Sequence, residues 1–262
     1  MGVVNVTPDS FSDGGRFTGP GAAAEHALAL LDQGADWLDI GGESTRPGAQ
    51  PVEEAEEMAR VLPVIERVLA ARPDAAISID TMKPGVARAA IGAGAQMWND
   101  VTALDAPDAL ETAAELECLV CLMHMQGAPQ TMQQRPAYEN VVTDVARHLG
   151  QRAGAALAHG VERGHVLIDP GIGFGKTLAH NLALMAALES FSGLGFPVLF
   201  GASRKRFIQA IDETAADPLD RLGGGLAAAL HAARAGCAVI RVHDVRETVQ
   251  ALKVQAAIAG AG

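Results

Sequence analysis

Cysteine is scarce: three occur in 262 residues, too few for a disulfide framework to carry the fold. Cys118 and Cys121 have the spacing of half a zinc knuckle or a redox motif. They lie in the apolar run 118–122, where residues three apart on a strand point to opposite faces. No second Cys/His pair stands at zinc spacing, so both are read as core residues, with Cys237 in the same class. Long hydrophobic runs are also missing, and none approaches the roughly 20 residues that cross a bilayer. The opening Met1-Gly2-Val3-Val4-Asn5 has no basic stretch and no cleavage-like site, so export is not expected and the cytoplasm is the expected compartment. Basic charge is in deficit, with 20 Lys+Arg against 31 Asp+Glu and a formal charge of −11. That balance argues against a general nucleic-acid binder, which needs a basic face to neutralise phosphates.

What is present is apolar material in short pieces. Hydrophobic residues make up 49% and charged residues 19%, with aromatics at 4%, which describes a compact soluble chain rather than a disordered one. Apolar runs recur at 3–6, 37–40, 76–79, 96–99, 118–122, 166–168, 197–200 and 238–242. Most are near-continuous rather than alternating, as strands buried on both faces should be. Helical patterns at 22–33, 52–71, 84–93, 138–159, 178–190, 218–235 and 245–258 lie between them. Asp217-Pro218 reads as a cap before a first-turn proline, and Gly34, Gly94, Gly160 and Gly236 stand just past helix ends. Eight β-α repeats without a linker predict one α/β domain over residues 1–262, folded as a (β/α)8 TIM barrel. An open doubly wound sheet is the alternative; the count of eight favours closure. The Ala/Gly-rich stretch 223–236 predicts close helix packing and offers a subunit contact.

The ends of the apolar runs carry the functional argument. They read Asn5, Asp39, Asp80, Asn99, Asp169, Ser203-Arg204-Lys205 and Arg241-x-His243. Any one of these alone is best read as a turn residue or helix cap. Their repetition at strand after strand points to a site, because a barrel brings strand ends to a common mouth. Two long Gly-rich loops, Thr7 to Gly15 and Gly41 to Gly48, follow strands and are read as covers that close over a substrate.

A third Gly-rich piece, Asp169-Pro170-Gly171-Ile172-Gly173-Phe174-Gly175-Lys176, invites a nucleotide reading that fails. A P-loop needs glycine where Pro170 stands, and the spacing of the glycines excludes G-x-G-x-x-G. What remains is a carboxylate at a strand end and a tight turn that lets a flat ligand approach the backbone. Arg204, Lys205, Arg241 and His243 gather after strands seven and eight, where barrels often hold phosphate. Ser203 is expected to cap a short helix over 204–211, whose N-terminus would attract an anion. Cations at the mouth of an acidic chain suggest a small anionic substrate.

Taken in order, these pieces resemble the bacterial dihydropteroate synthase family. The resemblance runs from Met1-Gly-Val-Val-Asn-Val-Thr-Pro-Asp-Ser-Phe-Ser-Asp-Gly-Gly15 through Asp39-Ile-Gly-Gly-Glu-Ser-Thr-Arg-Pro-Gly48 and Ile79-Asp-Thr-Met-Lys-Pro84. It continues through Trp98-Asn-Asp100, Met123-His-Met-Gln-Gly127, Asp169 to Lys176, Ser203-Arg-Lys205 and Arg241-Val-His-Asp-Val245, and so spans essentially the whole chain. It implies a barrel enzyme of folate synthesis, a transferase joining 6-hydroxymethyl-7,8-dihydropterin diphosphate to p-aminobenzoate with release of diphosphate. It implies a homodimer, a sulfonamide target, and small-molecule substrates without nucleic acid or membrane.

The resemblance also implies roles, which the chemistry of the residues supports. Asp169 accepts two hydrogen bonds from the pterin edge, with Asn99 beside it, Lys205 donating to the ring and Asp80 reading the other edge. Met123 packs on the pterin face and Phe174 forms an apolar wall. Arg241 and His243 neutralise the diphosphate with Mg²⁺, to which Asn5 supplies a ligand. Ser203 and its helix N-terminus serve the aminobenzoate side, with Thr45, Arg46 and Pro47 closing from the second loop, and Arg204 is a further substrate-binding residue. Asp9 and Phe11 order the first loop over the cation. His124 and His180 are expected behind the pocket or on a helix surface. Asp80, Asp169, Lys205, Arg241 and His243 are the residues expected to carry catalysis. A corrinoid-partnered pterin methyltransferase would share Asp169 and Asn99 but not the groups that handle diphosphate. A silent pterin-binding scaffold would not need the full polar set, and a Lys205 Schiff-base aldolase rests on barrel position alone.

Overall fold

The structure, a computed structural model, describes residues 1–7, 20–46 and 48–261. Six short strands pair in parallel in chain order: β1 (Gly2–Asn5), β2 (Trp37–Gly41), β3 (Ala76–Asp80), β4 (Met97–Asp100), β5 (Leu119–Met123) and β6 (Val166–Asp169). A second parallel pair, β7 (Leu199–Gly201) and β8 (Val239–Arg241), is joined to them at two seams. Single bridges between Ile168 and Val198 and between Gly2 and Val242 bring β7 beside β6 and β8 beside β1. Main-chain bonds of 3.0 Å from Ile168 N to Pro197 O and from Val3 N to Val242 O reinforce these seams. The eight strands therefore follow one another around a barrel in sequence order, with the short strands β7 and β8 giving its looser side.

Helices α1 (Pro20–Asp32), α2 (Glu54–Ala71), α3 (Pro84–Gly92), α4 (Ala109–Leu116) and α5 (Val141–Ala158) cover the outside of the first strands. After them come α6 (Leu178–Ala186), α7 (Leu188–Ser192), α8 (Arg206–Ile211), α9 (Leu222–Arg234) and α10 (Val245–Ala259). The main apolar core lies between strands and helices and includes Leu38, Ile40, Ile77, Ile79, Trp98 and Phe200. A small second core of Met97, Cys121, Leu167 and Leu199 fills the barrel axis. Side chains on a strand repeat every two residues, so the next inward positions are Asn99, Met123, Asp169 and Gly201. An apolar floor thus gives way to polar groups one step toward the C-terminal ends.

Cys118 packs in the outer core and Cys121 in the axial one, as their spacing predicts, and no cysteine is paired. Gly34, Gly94, Gly160 and Gly236 all take positive φ, between 80° and 111°, past their helices. Asp217 accepts from Leu219 N at 2.8 Å, but it caps a 3₁₀ turn (Pro218–Arg221) ahead of α9 rather than the α-helix itself. The pattern at 178–190 resolves into two helices, broken at Ala187. Helix α4 had no counterpart among the helical patterns. It has eight residues and ends on Glu117 at φ 50°, a left-handed residue without the glycine that usually marks such a stop. Gly224 explains the close packing expected of α9: a Cβ there would sit 2.6 Å from Ile208 on α8.

Glycines in different settings separate strain from helix propensity. Gly171 has φ +68°, and a Cβ would fall 2.0 Å from His124 O, whereas Gly154 lies inside α5 with nothing within 4 Å. Gly171→Ala is expected to cost about 3 kcal/mol or more. Gly154→Ala is expected to stabilise by about 0.5–1 kcal/mol. Urea unfolding of both variants against the parent checks the pair.

Candidate active site

Inside the mouth of the barrel one guanidinium is held by two carboxylates. Arg241 Nε donates to Asp39 Oδ2 at 2.6 Å, and its Nη2 donates to Asp80 Oδ2 at 2.8 Å. Asn99 Nδ2 adds a bond of 3.1 Å to the same Asp39 oxygen. Asp39 is fully buried, and its Oδ1 has no partner among the described residues. Because two acids share one cation, partial burial and the nearby Asp39 push the Asp80 carboxyl up to about 7 against the pull of Arg241. Burial alone would lower the Arg241 pKa, but the charges of Asp39 and Asp80 and the bond to Asp39 outweigh it and hold the guanidinium above its ordinary value, firmly charged.

Asp169 faces this group from β6. Its Oδ1 accepts from Gly171 N at 2.7 Å, and burial raises its pKa against the opposing charges of Lys205, Lys176 and Arg241. Lys205 lies over the Phe174 ring, with Nζ 4.7 Å from the centroid, and donates to Ile172 O. Burial lowers its pKa to about 8 despite Asp169. Met123 sits opposite Asp169 in the β5–β6 register, which puts a soft apolar side chain beside the acid.

The turn after Asp169 is built by contact with the loop after β5. Gly171, Gly173 and Gly175 have φ of 68°, 86° and 62°. A Cβ on Gly171 or Gly175 would strike the carbonyl of His124 or Gln126, at 2.0 and 2.4 Å, and one on Gly173 would press on Lys205. Gly171 and Gly175 are therefore required by the packing of this turn on the loop after β5. Buried Lys176 pins the pair of loops: Nζ lies 2.9 Å from His124 Nδ1, 2.9 Å from Phe174 O and 3.2 Å from His124 O. Burial takes Lys176 down to about 7, and burial with the Lys176 charge takes His124 down to about 3. His124 thus stands behind the pocket as expected. His180 caps α6 from its first turn in a reciprocal box with Thr177.

On the opposite rim Ser203 does not cap α8, whose N-cap is Lys205. Ser203 Oγ instead accepts from His243 N and lies 3.2 Å from His243 Nδ1. The reason is the turn itself: Arg204 takes φ +59°, and Arg221 Nη1 holds its carbonyl at 2.9 Å. The Arg204 side chain turns to Asp244, with Nε to Oδ2 at 3.1 Å, so its charge is largely compensated. Burial, then Arg241 and Arg204, lower His243 to about 3, which leaves it neutral at ordinary pH. Arg46 of the second loop, itself exposed, lies near enough to contribute to that shift, and Thr45 beside it is half-buried.

The structure thus gathers Asp80, Asn99, Met123, Asp169, Phe174, Ser203, Lys205, Arg241 and His243 at one mouth, with Asn5 ending β1 on the same rim. Pro47, Asp9 and Phe11 lie outside the described residues. Asp39, expected at a strand end, stands in the middle of β2 because the strand runs on to Gly41, and its pairing with Arg241 was not foreseen. Lys176 and Arg221 were missed because single basic residues in loops carry no spacing signal. Among the described residues no trio of His, Cys, Asp or Glu could hold a metal by itself, and no helix is long and apolar enough to cross a membrane.

Residues 1–243 match the family described as pterin binding enzyme. The dihydropteroate synthase of Escherichia coli (strain K12) is 47% identical over 254 residues, covering 97% of this chain and 89% of that protein. A solved Xanthomonas albilineans dihydropteroate synthase with 4-aminobenzoic acid superposes with a TM-score of 0.93 at 50% identity, covering 99% of this chain and 92% of that one. A second structure of the Xanthomonas enzyme, in complex with 7,8-dihydropteroate, gives a TM-score of 0.89 at 47% identity, with 99% and 92% covered.

The Lys176 geometry has a measurable consequence for stability. Its amine holds a proton only below about 7 when folded, against an ordinary value of 10.5. Between those values the unfolded chain binds more protons, so this residue makes stability rise with pH through that window. In Lys176→Met the rise in unfolding free energy between about pH 7 and pH 9 should be smaller than in the parent, as read by urea titrations at both pH values.

Proposed function

The chain belongs to the pterin binding enzyme family, and from that premise we infer that it condenses 6-hydroxymethyl-7,8-dihydropterin diphosphate with p-aminobenzoate, giving 7,8-dihydropteroate and diphosphate. This is the dihydropteroate synthase reaction of folate synthesis. The observation that carries the reading is the convergence of Asp169, Asn99, Asp80 and Lys205 around one pocket, with Arg241 bound into it. A pterin's amino-pyrimidinone edge offers adjacent donors, which a carboxylate such as Asp169 can accept in pairs. Lys205 donates to the ring, and Phe174 and Met123 supply apolar surface. An analogue lacking these groups would leave buried partners unpaired, which makes such recognition selective.

The bond that breaks joins the exocyclic methylene to the diphosphate oxygen, and the electron pair leaves with diphosphate. Positive charge then spreads from the methylene into the ring. Asp80 and Asp169 would stabilise that charge as it develops, favouring the transition state over bound substrate. The aryl amine of p-aminobenzoate is neutral at pH 7; its lone pair forms the new C–N bond, and the acidic anilinium proton so created passes to the released diphosphate or to water, so no strong base is required. No covalent enzyme intermediate is needed. Arg241 and His243 receive the departing phosphates; His243 serves as a neutral hydrogen-bonding group unless the anion draws a proton onto it. The carboxylate of p-aminobenzoate sits toward Ser203, Thr45 and Arg46.

Asn5 is proposed as the protein ligand of Mg²⁺. Its carboxamide oxygen is a hard donor, and the lack of a protein cage among the described residues suits an ion that keeps its water and phosphate ligands. When bound, the ion would neutralise charge on the leaving diphosphate. A homodimer through the Ala/Gly-rich C-terminal helices and a cytoplasmic setting belong to the same reading.

Purified protein given labelled p-aminobenzoate, the dihydropterin diphosphate and Mg²⁺ should build label into a pterin product, with one diphosphate released per product. Absence of labelled product would remove the reading. Lys205 keeps its proton only below about 8. Pterin affinity measured by calorimetry should therefore weaken above that pH and stay flat in Lys205→Arg, whose guanidinium remains charged. Arg46→Ala should raise KM for p-aminobenzoate more than KM for the pterin substrate.

A further inference from the structure

A buried ion cluster outside the pocket holds the root of the second loop. Lys83 Nζ donates to the carboxylates of both Glu43 and Glu57. Glu43 stands two residues past Gly41, the end of β2, Glu57 projects from α2, and Lys83 is the residue before α3. One ammonium therefore ties together the β2 loop, the helix after it and the exit of β3. Lys83 N also donates to Thr81 Oγ1 at 3.2 Å, next to Asp80.

Glu57 is an unusual resident of its helix face. It shares that face with Val61, Val64, Ile65 and Val68; its side chain is fully buried, and Oε1 has no partner among the described residues. Taking a carboxylate out of water is costly unless a cation compensates it, and Lys83 is the cation in contact. The loop root lies flat against the same helix. Arg60 Nη1 donates to Gly42 O at 2.7 Å, and a Cβ on Gly42 would come 2.9 Å from both Glu57 and Val61. Two and three residues beyond Glu43 stand Thr45 and Arg46. The position of that pair is thus coupled to a charge that touches neither substrate.

We propose that Lys83, by bridging Glu43 and Glu57, is a positioning residue that sets where Thr45 and Arg46 stand over the pocket, and so governs recognition of p-aminobenzoate rather than of the pterin. The proposal rests on the reading that the second loop receives p-aminobenzoate. The cluster holds two acids and one base, so the two kinds of change differ. Loss of Lys83 leaves two carboxylates facing each other, whereas loss of one acid leaves a balanced pair.

The test compares Lys83→Met, Lys83→Arg and Glu43→Gln with the parent enzyme, with Arg46→Ala in parallel. Lys83→Met is expected to raise KM for p-aminobenzoate about tenfold, with pterin affinity, measured by calorimetry without p-aminobenzoate, changed by less than about twofold. Lys83→Arg should recover most of the loss, and Glu43→Gln should show the same split at about threefold. Hydrogen exchange should quicken at residues 43–46 in Lys83→Met while the strands stay protected. Equal losses toward both substrates, or unchanged exchange at 43–46, overturn the proposal. If Arg46→Ala leaves the p-aminobenzoate KM alone, the loop assignment has failed instead, and exchange alone decides whether Lys83 anchors the loop. Should Lys83→Met not fold, Glu43→Gln carries the same comparison.

Discussion

One guanidinium shared between a buried carboxylate and a partly buried one organises the mouth of this barrel. Arg241 rises from the last strand, yet its partners Asp39 and Asp80 stand on the second and third. The bond pattern therefore reaches across the barrel axis and ties the short, loosely joined side to the long six-stranded side. Truncating either type of partner would leave a buried charge uncompensated, which costs far more than an exposed pair contributes. The same arrangement keeps the pocket close to electrical balance, with Asp169 facing Lys205 and Lys176. A pocket so balanced can accept an anionic tail and still stabilise a cation that develops on the ring.

Two rings of support surround that centre. On one side, Lys176 and the glycines at 171 and 175 lock the loop after β6 onto the loop after β5, so that Asp169, Met123 and Phe174 keep a fixed relation. On the other, Arg221 holds the left-handed turn at Arg204, and Ser203 meets His243 across the ends of β7 and β8. Fixed placement of this kind is what electrostatic catalysis requires, since dipoles and charges already in position need not reorganise as the bond breaks. The Lys83 cluster extends the same principle to the second loop.

Much of the site was legible because strand ends are legible. Asp80, Asn99, Asp169 and Arg241 each close a short apolar run, and a parallel barrel sends all such ends to one face. Asp39 shows where this logic stops: expected at a strand end, it stands mid-strand in β2, and its bond to a residue 202 positions away left no local signal. Lys176, Arg221 and Lys83 were hidden for a different reason. Each acts through neighbours brought together by loop packing, and nothing in their local spacing distinguishes them from solvated basic residues. Glu57 did leave a trace, as an acid at helical spacing from Val61, Val64 and Ile65, where burial predicts an apolar residue. Ser203 was misjudged because a cap reads well before any short helix, and only the left-handed turn at Arg204 moves the helix start to Arg206.

By itself the chain determined the repeating strand and helix order, the closure expected of eight units, and the identity of most polar groups at the mouth. These follow from local periodicity and from residues adjacent in the chain. Only the tertiary structure decided which charges neutralise one another, which histidines stay uncharged, and which glycines are demanded by a neighbouring backbone. Those outcomes depend on burial and on distances between residues far apart in sequence, where the strength of a charge is set by the medium around it and not by its position along the chain.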